Sequence, residues 1–221
     1  MPEIMITGSA GRIEGRYKHS KIQGAPIALI LHPDPQRGGT MNNKIAYSLF
    51  QSFSGQGFST LRFNFRGVGR SQGEFSHGEG ELSDAASALD WLQSVNPNSS
   101  GVWVGGFSFG AWIGMQLLMR RPEISGYVSI SPPANIYDFN FLAPCPNAGL
   151  IVQGDSDQVV NIESANKLID KLKAQRGQNG VDYRIIKGAG HFFNNEGESE
   201  QLLACVNAYL KRQAPRLKAA A

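Results

Sequence analysis

One short segment constrains the fold of this chain more than any other: residues 106–110, Gly-Phe-Ser-Phe-Gly, in which a glycine lies two residues to either side of a serine. Residues 102–104 before it are β-branched and aromatic, which predicts a buried strand. Residues 111–119 after it are almost uniformly apolar, which predicts a buried helix. A turn this sharp has no room for a Cβ beside the serine, so both flanking positions need glycine. The segment therefore predicts a nucleophile elbow that exposes Ser108 above a sheet, next to the positive end of a helix.

Apolar runs with strand character alternate with helical patterns along most of the chain, which indicates a mainly parallel sheet. We predict an α/β fold with three layers, in which a doubly wound sheet carries helices on both faces. The predicted strands cover residues 12–18, 26–32, 59–65, 102–104, 126–130, 149–153 and 182–187. The predicted helices cover residues 45–53, 79–95, 111–119, 162–175 and about 202–209.

The length of 221 residues suits one domain with a single sizeable core. We therefore predict one domain over residues 1–221, in which residues 210–221 form a loose tail. The stretch between Ser131 and Ala148 is too short to hold a helical lid. A hydrophobic content of 41% and a charged content of 18% are typical of a soluble globular protein.

Composition also argues against several classes of function. The net charge of +3 is not gathered into a basic stripe, so we expect no nucleic-acid partner. No run approaches 18 apolar residues and no signal peptide is evident, so we expect no membrane contact and a cytoplasmic location. The spacing of Cys145 and Cys205 matches no metal motif, which favours two free thiols, and we expect neither a metal nor another cofactor.

The candidate catalytic residues follow from where the predicted strands end. In a parallel α/β sheet, the loops at the carboxyl ends of the strands gather at one edge. Ser108 follows one strand, Asp155 and Asp157 follow a later one, and His191 follows the last. A nucleophile, an acid and a base in this order along one sheet edge predict a Ser-His-Asp triad.

The chemistry of each residue type explains its place in the predicted triad. A serine hydroxyl is nearly inert at neutral pH, so Ser108 needs a base to take its proton, and His191 is the candidate because histidine is the usual general base near neutral pH. The acid orients that imidazole and stabilises its charged form. Asp155 and Asp157 both qualify, and we favour Asp157 because it lies far enough along the loop to turn back toward the histidine.

An oxyanion hole needs two backbone N–H donors, and Phe109, directly after the serine, supplies the first. The second should come from the loop after residue 32, where the prolines lack an N–H; this leaves Asp34, which we favour, or a residue nearer Gly38. Trp112 suits the pocket and the core equally well. Four apolar residues are the predicted walls of a substrate pocket: Phe107, Pro132, Pro133 and Phe192.

Five segments of the chain match a known pattern: residues 32–43, 63–71, 106–110, 154–157 and 188–193. Through these segments the chain resembles the α/β-hydrolases, in particular the small lidless bacterial serine esterases near the dienelactone hydrolases and the prolyl-type serine peptidases. This resemblance implies that Ser108, Asp157 and His191 are the triad. Many relatives have a histidine in place of Asp34, residues 194–195 are often replaced, and dienelactone hydrolases use a cysteine nucleophile.

The function that we expect is hydrolysis of a small-molecule carboxylic ester through an acyl-enzyme on Ser108. An open, lidless site suits short acyl chains better than long lipids. A peptidase or a thioesterase would use the same triad, because the acyl chemistry is shared. A binding protein on a hydrolase scaffold is the non-enzymatic alternative, although such proteins usually lose a triad member. The sequence also leaves a homodimer open.

Overall fold

The computed structural model describes residues 3–142, 147–176 and 180–219. The strands in this part of the chain are β1 (Glu3–Gly8), β2 (Gly11–Lys18), β3 (Ile27–Leu31), β4 (Ser59–Phe63), β5 (Val102–Phe107), β6 (Ile124–Ile130), β7 (Gly149–Gly154) and β8 (Val181–Ile186). They form one sheet in the order β1-β2-β4-β3-β5-β6-β7-β8. The pairs from β4 to β8 are parallel, whereas β2 runs antiparallel to both β1 and β4.

Helices cover both faces of this sheet. They are α1 (Lys44–Gly55), α2 (Glu79–Ser94), α3 (Phe109–Arg120), α4 (Ile162–Arg176) and α5 (Glu196–Ala219). Helices α1 and α5 pack on one face, and α2, α3 and α4 pack on the other. The prediction of a three-layer, mainly parallel α/β fold with helices on both faces is therefore confirmed.

The apolar pattern explains why these elements form. Every residue of β5 is buried, as expected for a central strand that is covered on both faces. Helix α1 turns one apolar face inward, with Phe50 and Phe53 fully buried, and it begins where the Asn43 side chain accepts hydrogen bonds from the first backbone N–H groups. Burying one such aromatic side chain stabilises the fold by about 2–3 kcal/mol.

Two regions at the ends of the chain differ from the predictions. Residues Glu3–Gly8 form strand β1, which we did not predict, and this strand pairs antiparallel with β2. We predicted a loose tail over residues 210–221, but within the described residues α5 continues to Ala219 and Leu210 is fully buried. Val206, Tyr209 and Leu210 repeat at helical spacing on the buried side of α5, which accounts for ordered packing up to Leu210.

No helix within the described residues has the length and apolar character that crossing a bilayer would require.

A buried ion pair fixes the segment between β4 and α2. The Arg66 guanidinium donates two hydrogen bonds to the Asp84 carboxylate, at 3.0 and 2.8 Å, and the Arg66 backbone N–H donates a third at 3.0 Å. The Asp84 side chain is 1% exposed. The carboxylate also raises the pKa of Arg66 through this hydrogen bonding. Removal of the carboxylate would leave a largely buried cation without its partner.

We expect Asp84→Ala to lower the free energy of unfolding by about 3–5 kcal/mol, because it leaves that charge uncompensated. Asp90→Ala is the matched control: Asp90 lies on the same helix and also pairs with an arginine, Arg121, but its side chain is 64% exposed. The control should cost less than about 1 kcal/mol. Urea denaturation measures both values, and similar losses would contradict the account of Asp84.

Candidate active site

The turn between β5 and α3 has the predicted sharp geometry. Ser108 adopts φ 53° and ψ −119°, an uncommon backbone conformation for a residue with a side chain. A Cβ on Gly106 would lie 2.4 Å from the carbonyl oxygen of Gly110, and a Cβ on Gly110 would lie 2.4 Å from that of Leu31. Both glycines are therefore needed, one for the turn itself and the other for the close approach of α3 to the end of β3.

Ser108, His191 and Asp157 form a continuous hydrogen-bond chain. The Nε2 atom of His191 lies 3.1 Å from Ser108 Oγ, and its Nδ1 atom lies 2.8 Å from Asp157 Oδ2. A carboxylate can only accept, so Nδ1 carries the proton and Nε2 is left free to accept from the serine hydroxyl. The structure thus brings His191 together with Ser108, which lies 83 positions earlier in the chain, and with Asp157, which lies 34 positions earlier.

The carboxylate of Asp157 is held in its charged form by several donors. Burial raises its pKa, but hydrogen bonds from His191 and from the backbone N–H groups of Val160 and Val159 outweigh burial, so that its pKa is below the ordinary value. The N–H bonds to Asp157 Oδ1 are both 2.8 Å long. Asp157 therefore remains an anion throughout the neutral range.

Gln153 is a further polar residue at the site, and it was not among the predicted site residues. Its side chain is fully buried at the end of β7, where Nε2 donates to Asp157 Oδ2 at 2.8 Å. The oxygen that accepts from His191 thus has a second donor. The available signal was a glutamine at the end of an otherwise apolar strand, since a polar side chain buried there needs a partner.

Asp155, the alternative acid, takes part in a different set of contacts. Its Oδ1 atom accepts from the backbone N–H of Gly188 at 2.6 Å and lies 3.2 Å from Ser156 Oγ. It therefore ties the loop after β7 to the loop after β8. The structure places Asp157, and not Asp155, against His191.

A cleft of about 110 Å³ opens beside Ser108 and His191. One side is formed by the loop after β3, including Asp34, Arg37 and Gly38. Phe192 and Ile136, each about half exposed, lie at its apolar rim. The remaining lining residues are Pro33, Gly39, Asn43, Phe109, Pro133, Tyr137 and Val159.

For two of the four predicted wall residues, the prediction was wrong. Pro133 and Phe192 line it, but Phe107 and Pro132 do not. Phe107 is fully buried in the core on the α1 side of the sheet, with its ring 5.1 Å from that of His191. It directly precedes Ser108 at the end of β5, and its side chain packs in the core, where its ring contacts the ring of His191.

Pro132 is likewise buried rather than exposed to the cleft.

Trp112, which suited the pocket and the core equally well, does not line the cleft. Its indole stacks on the ring of Tyr137 at 4.1 Å and donates to the carbonyl oxygen of Asp138 at 3.2 Å. Trp112 therefore supports the loop that carries Tyr137, and the Tyr137 ring forms the wall itself.

The predicted oxyanion donors lie on two elements that meet at the cleft. Phe109 is the first residue of α3, where a backbone N–H has no partner within its own helix. Asp34 lies in the loop after β3, where its carbonyl oxygen accepts from the N–H groups of Arg37 and Gly39 and its carboxylate accepts from that of Gln36. Gly38 also lines the cleft, so the structure brings both alternatives for the second donor near Ser108.

His32, which directly precedes this loop, is a fully buried histidine. Burial lowers its pKa to about 4 because a charged imidazole would lose its hydration, and the hydrogen bond to Pro33 only partly offsets this. The other ring nitrogen accepts from the backbone N–H of Phe65 at 3.0 Å. His32 is therefore neutral wherever the protein is near neutral pH.

The fold and this hydrogen-bond chain define an α/β hydrolase with a serine, histidine and aspartate at the carboxyl edge of its sheet. Comparison with known proteins agrees: residues 21–179 match the family model of X-Pro dipeptidyl-peptidase (S15 family). The chain belongs to this family of α/β hydrolases.

Individual relatives cover almost the whole chain. A structure from Agrobacterium tumefaciens, described as an α/β hydrolase of unknown function, is 60% identical, with a TM-score of 0.92 and 96% of both chains covered. An α-β serine hydrolase homologue from Coxiella burnetii is 33% identical, with a TM-score of 0.85, and 95% of this chain and 97% of that chain are covered. An uncharacterized protein from Rickettsia prowazekii is 50% identical over 95% of this chain and 89% of its own length.

The buried His32 makes stability depend on pH. Its folded pKa of about 4 lies below the ordinary value of 6.5, so between these values the unfolded chain binds a proton that the folded protein does not. Stability is therefore lost as pH falls from about 6.5 toward 4, by about 3 kcal/mol over the whole window.

From about pH 7 to about pH 5, urea denaturation should show that wild type loses about 2 kcal/mol more than His32→Asn does. His19→Asn, at an exposed histidine, serves as the control and should lose as much as wild type. Equal losses in wild type and His32→Asn would contradict the assignment of this pH dependence to His32.

Proposed function

We propose that this protein hydrolyses carboxylic esters with short acyl groups, through an acyl-enzyme on Ser108. The observation that supports this proposal is the hydrogen-bond chain, which runs from Ser108 Oγ through His191 to Asp157 and opens on the cleft. Because the proton of His191 is on Nδ1, the lone pair of Nε2 faces the hydroxyl that has to be deprotonated.

In the first half of the proposed reaction, Ser108 Oγ attacks the ester carbonyl and its proton moves to His191 Nε2. The imidazole becomes positively charged, and the carboxylate of Asp157 stabilises that charge at 2.8 Å. The backbone N–H groups of Phe109 and Asp34 donate hydrogen bonds to the negatively charged oxygen of the tetrahedral intermediate.

The intermediate then collapses. The carbon–oxygen bond to the alcohol breaks, and the alcohol leaves with the proton from His191 Nε2. Ser108 now carries the acyl group. A water molecule loses its proton to His191, attacks the acyl carbonyl and releases the carboxylic acid, and the proton returns to Ser108 Oγ.

The size of the cleft supports a short acyl group. A volume of about 110 Å³ holds a few carbon atoms and leaves little room for a long chain. The walls contributed by Pro133, Val159 and Tyr137 are mainly apolar, which suits an aliphatic or aromatic group. The exposed Phe192 and Ile136 would contact the part of the substrate that lies outside the cleft.

Peptide hydrolysis is the second candidate, because the matching family model is that of X-Pro dipeptidyl-peptidase (S15 family). A peptidase would use the same acyl-enzyme and differ only in the leaving group, an amine in place of an alcohol. A thioesterase would likewise differ only in its thiol leaving group. The choice between an esterase and a peptidase therefore requires both ester and anilide substrates.

The first test is hydrolysis of p-nitrophenyl esters from acetate to palmitate, followed by X-Pro p-nitroanilides. We expect turnover of the short esters, and a loss of at least about 10³-fold in kcat for Ser108→Ala, because the nucleophile is absent. Ser131→Ala, at another buried serine near the site, controls for general damage to the fold. Turnover of the anilides alone would refute the ester proposal and favour the peptidase.

A second test separates the two aspartates. Asp157→Asn should lower kcat by about 10³–10⁴-fold, because an amide can donate to Nδ1 and would favour the wrong tautomer of His191. Asp155→Asn is the matched control: it changes the same loop by the same chemistry, yet Asp155 contacts Gly188 rather than His191. Esterase assays on both variants decide the role, and an equal loss in the two would contradict it.

A further inference from the structure

His32 has no chemical step in the proposed mechanism, yet both of its ring nitrogens have specific partners close to the site. Nδ1 lies 2.7 Å from the carbonyl oxygen of Pro33, and Nε2 lies 3.0 Å from the backbone nitrogen of Phe65. A carbonyl can only accept and a backbone N–H can only donate, so the neutral ring carries its proton on Nδ1. The ring thus accepts a hydrogen bond from the chain two residues after β4 and donates one to the loop after β3.

The carbonyl that His32 holds belongs to the peptide bond between Pro33 and Asp34. The other polar group of this peptide is the N–H of Asp34, the proposed second oxyanion donor. The described residues contain no cis peptide bond, and in a planar trans peptide the C=O and N–H point in opposite directions. A hydrogen bond that fixes the direction of the Pro33 carbonyl therefore also fixes the direction of the Asp34 N–H.

The same peptide is confined from another direction by Gly39. A Cβ on Gly39 would lie 2.1 Å from the carbonyl oxygen of Pro33. The backbone of His32 also packs on the start of α3, because a Cβ on Gly110 would lie 2.5 Å from its carbonyl oxygen. His32 thus connects the loop of Asp34 to the helix turn that carries the N–H of Phe109.

We propose that His32 is a positioning residue, which directs the Asp34 N–H toward the oxyanion by holding the Pro33 carbonyl. The proposal rests on the proposed function, because it assumes an oxyanion at Ser108. The residue touches neither the substrate nor the reacting atoms. Its contribution is to set the angle between two donors that come from different elements.

The test is the rate at which a fluorophosphonate modifies Ser108, followed by mass spectrometry of the intact protein. In this reaction the Ser108 oxygen bonds to phosphorus, fluoride leaves, the serine proton passes to His191, and the phosphonyl oxygen takes up negative charge. The rate therefore reports the oxyanion hole without any need to know the natural substrate. We expect His32→Asn to lower the second-order rate constant about 10- to 100-fold. This loss does not exceed the loss expected when one oxyanion donor is removed altogether, because the Asp34 N–H is misdirected rather than absent.

A purely structural role would produce a different result. It would lower the melting temperature and the final fraction of protein that is labelled, but not the rate constant of the labelled fraction. His77→Asn, at an exposed histidine, is the control and should react at the wild-type rate. Labelling of His32→Asn at the wild-type rate would overturn the proposal.

Gly39→Ala tests the same peptide by an independent route, because its new methyl group must displace the Pro33 carbonyl. We expect a loss of similar size, and this variant decides the matter if His32→Asn does not fold. Gly55→Ala, where a Cβ meets nothing within 4 Å, is its control. Wild-type rates in Gly39→Ala would contradict the proposal but leave the ester function intact, whereas failure to label the wild-type protein would refute both.

Discussion

The close approach of α3 to the end of β3 is the constraint on which the site depends. The backbone at Gly110 packs so tightly against the carbonyls of Leu31 and His32 that a single methyl group would overlap them. This contact places the serine at the start of α3 beside the loop that follows β3. Together with the parallel pairing of β3 and β5, it holds the two elements that carry the predicted oxyanion donors next to each other.

The parallel order of the strands then supplies the remaining groups. Strands β5, β6, β7 and β8 are neighbours in the sheet, so the loops that follow β5, β7 and β8 end at the same edge. Ser108, Asp157 and His191 meet there although they lie far apart in sequence. Gln153 and the backbone of Val159 and Val160 complete the environment of the carboxylate, and all three lie in or just after β7.

Much of this arrangement could be predicted from the sequence because the signals are local. Glycines at fixed distances from Ser108, apolar runs of strand length, and the order of Ser108, Asp157 and His191 are all readable without tertiary contacts. The role of Phe107 could not be predicted, because the side chain next to a nucleophile can face either side of the sheet. Strand β1 could not be predicted either, because this short and partly exposed segment is stabilised by its pairing with β2 rather than by its own apolar pattern.

The buried polar groups were the hardest to predict, because their significance lies in long-range partners. His32 and Phe65 are 33 residues apart, and Gln153 is noteworthy only once Asp157 has folded back beside it. Each of these groups costs free energy to bury and is retained with specific hydrogen bonds that fix its orientation. In the proposed mechanism, groups fixed in this way would need no reorganisation as charge develops beside Ser108, which is the physical basis of electrostatic stabilisation in an enzyme site. The polar residues least visible in the sequence are therefore those that determine how rigidly the visible ones are held.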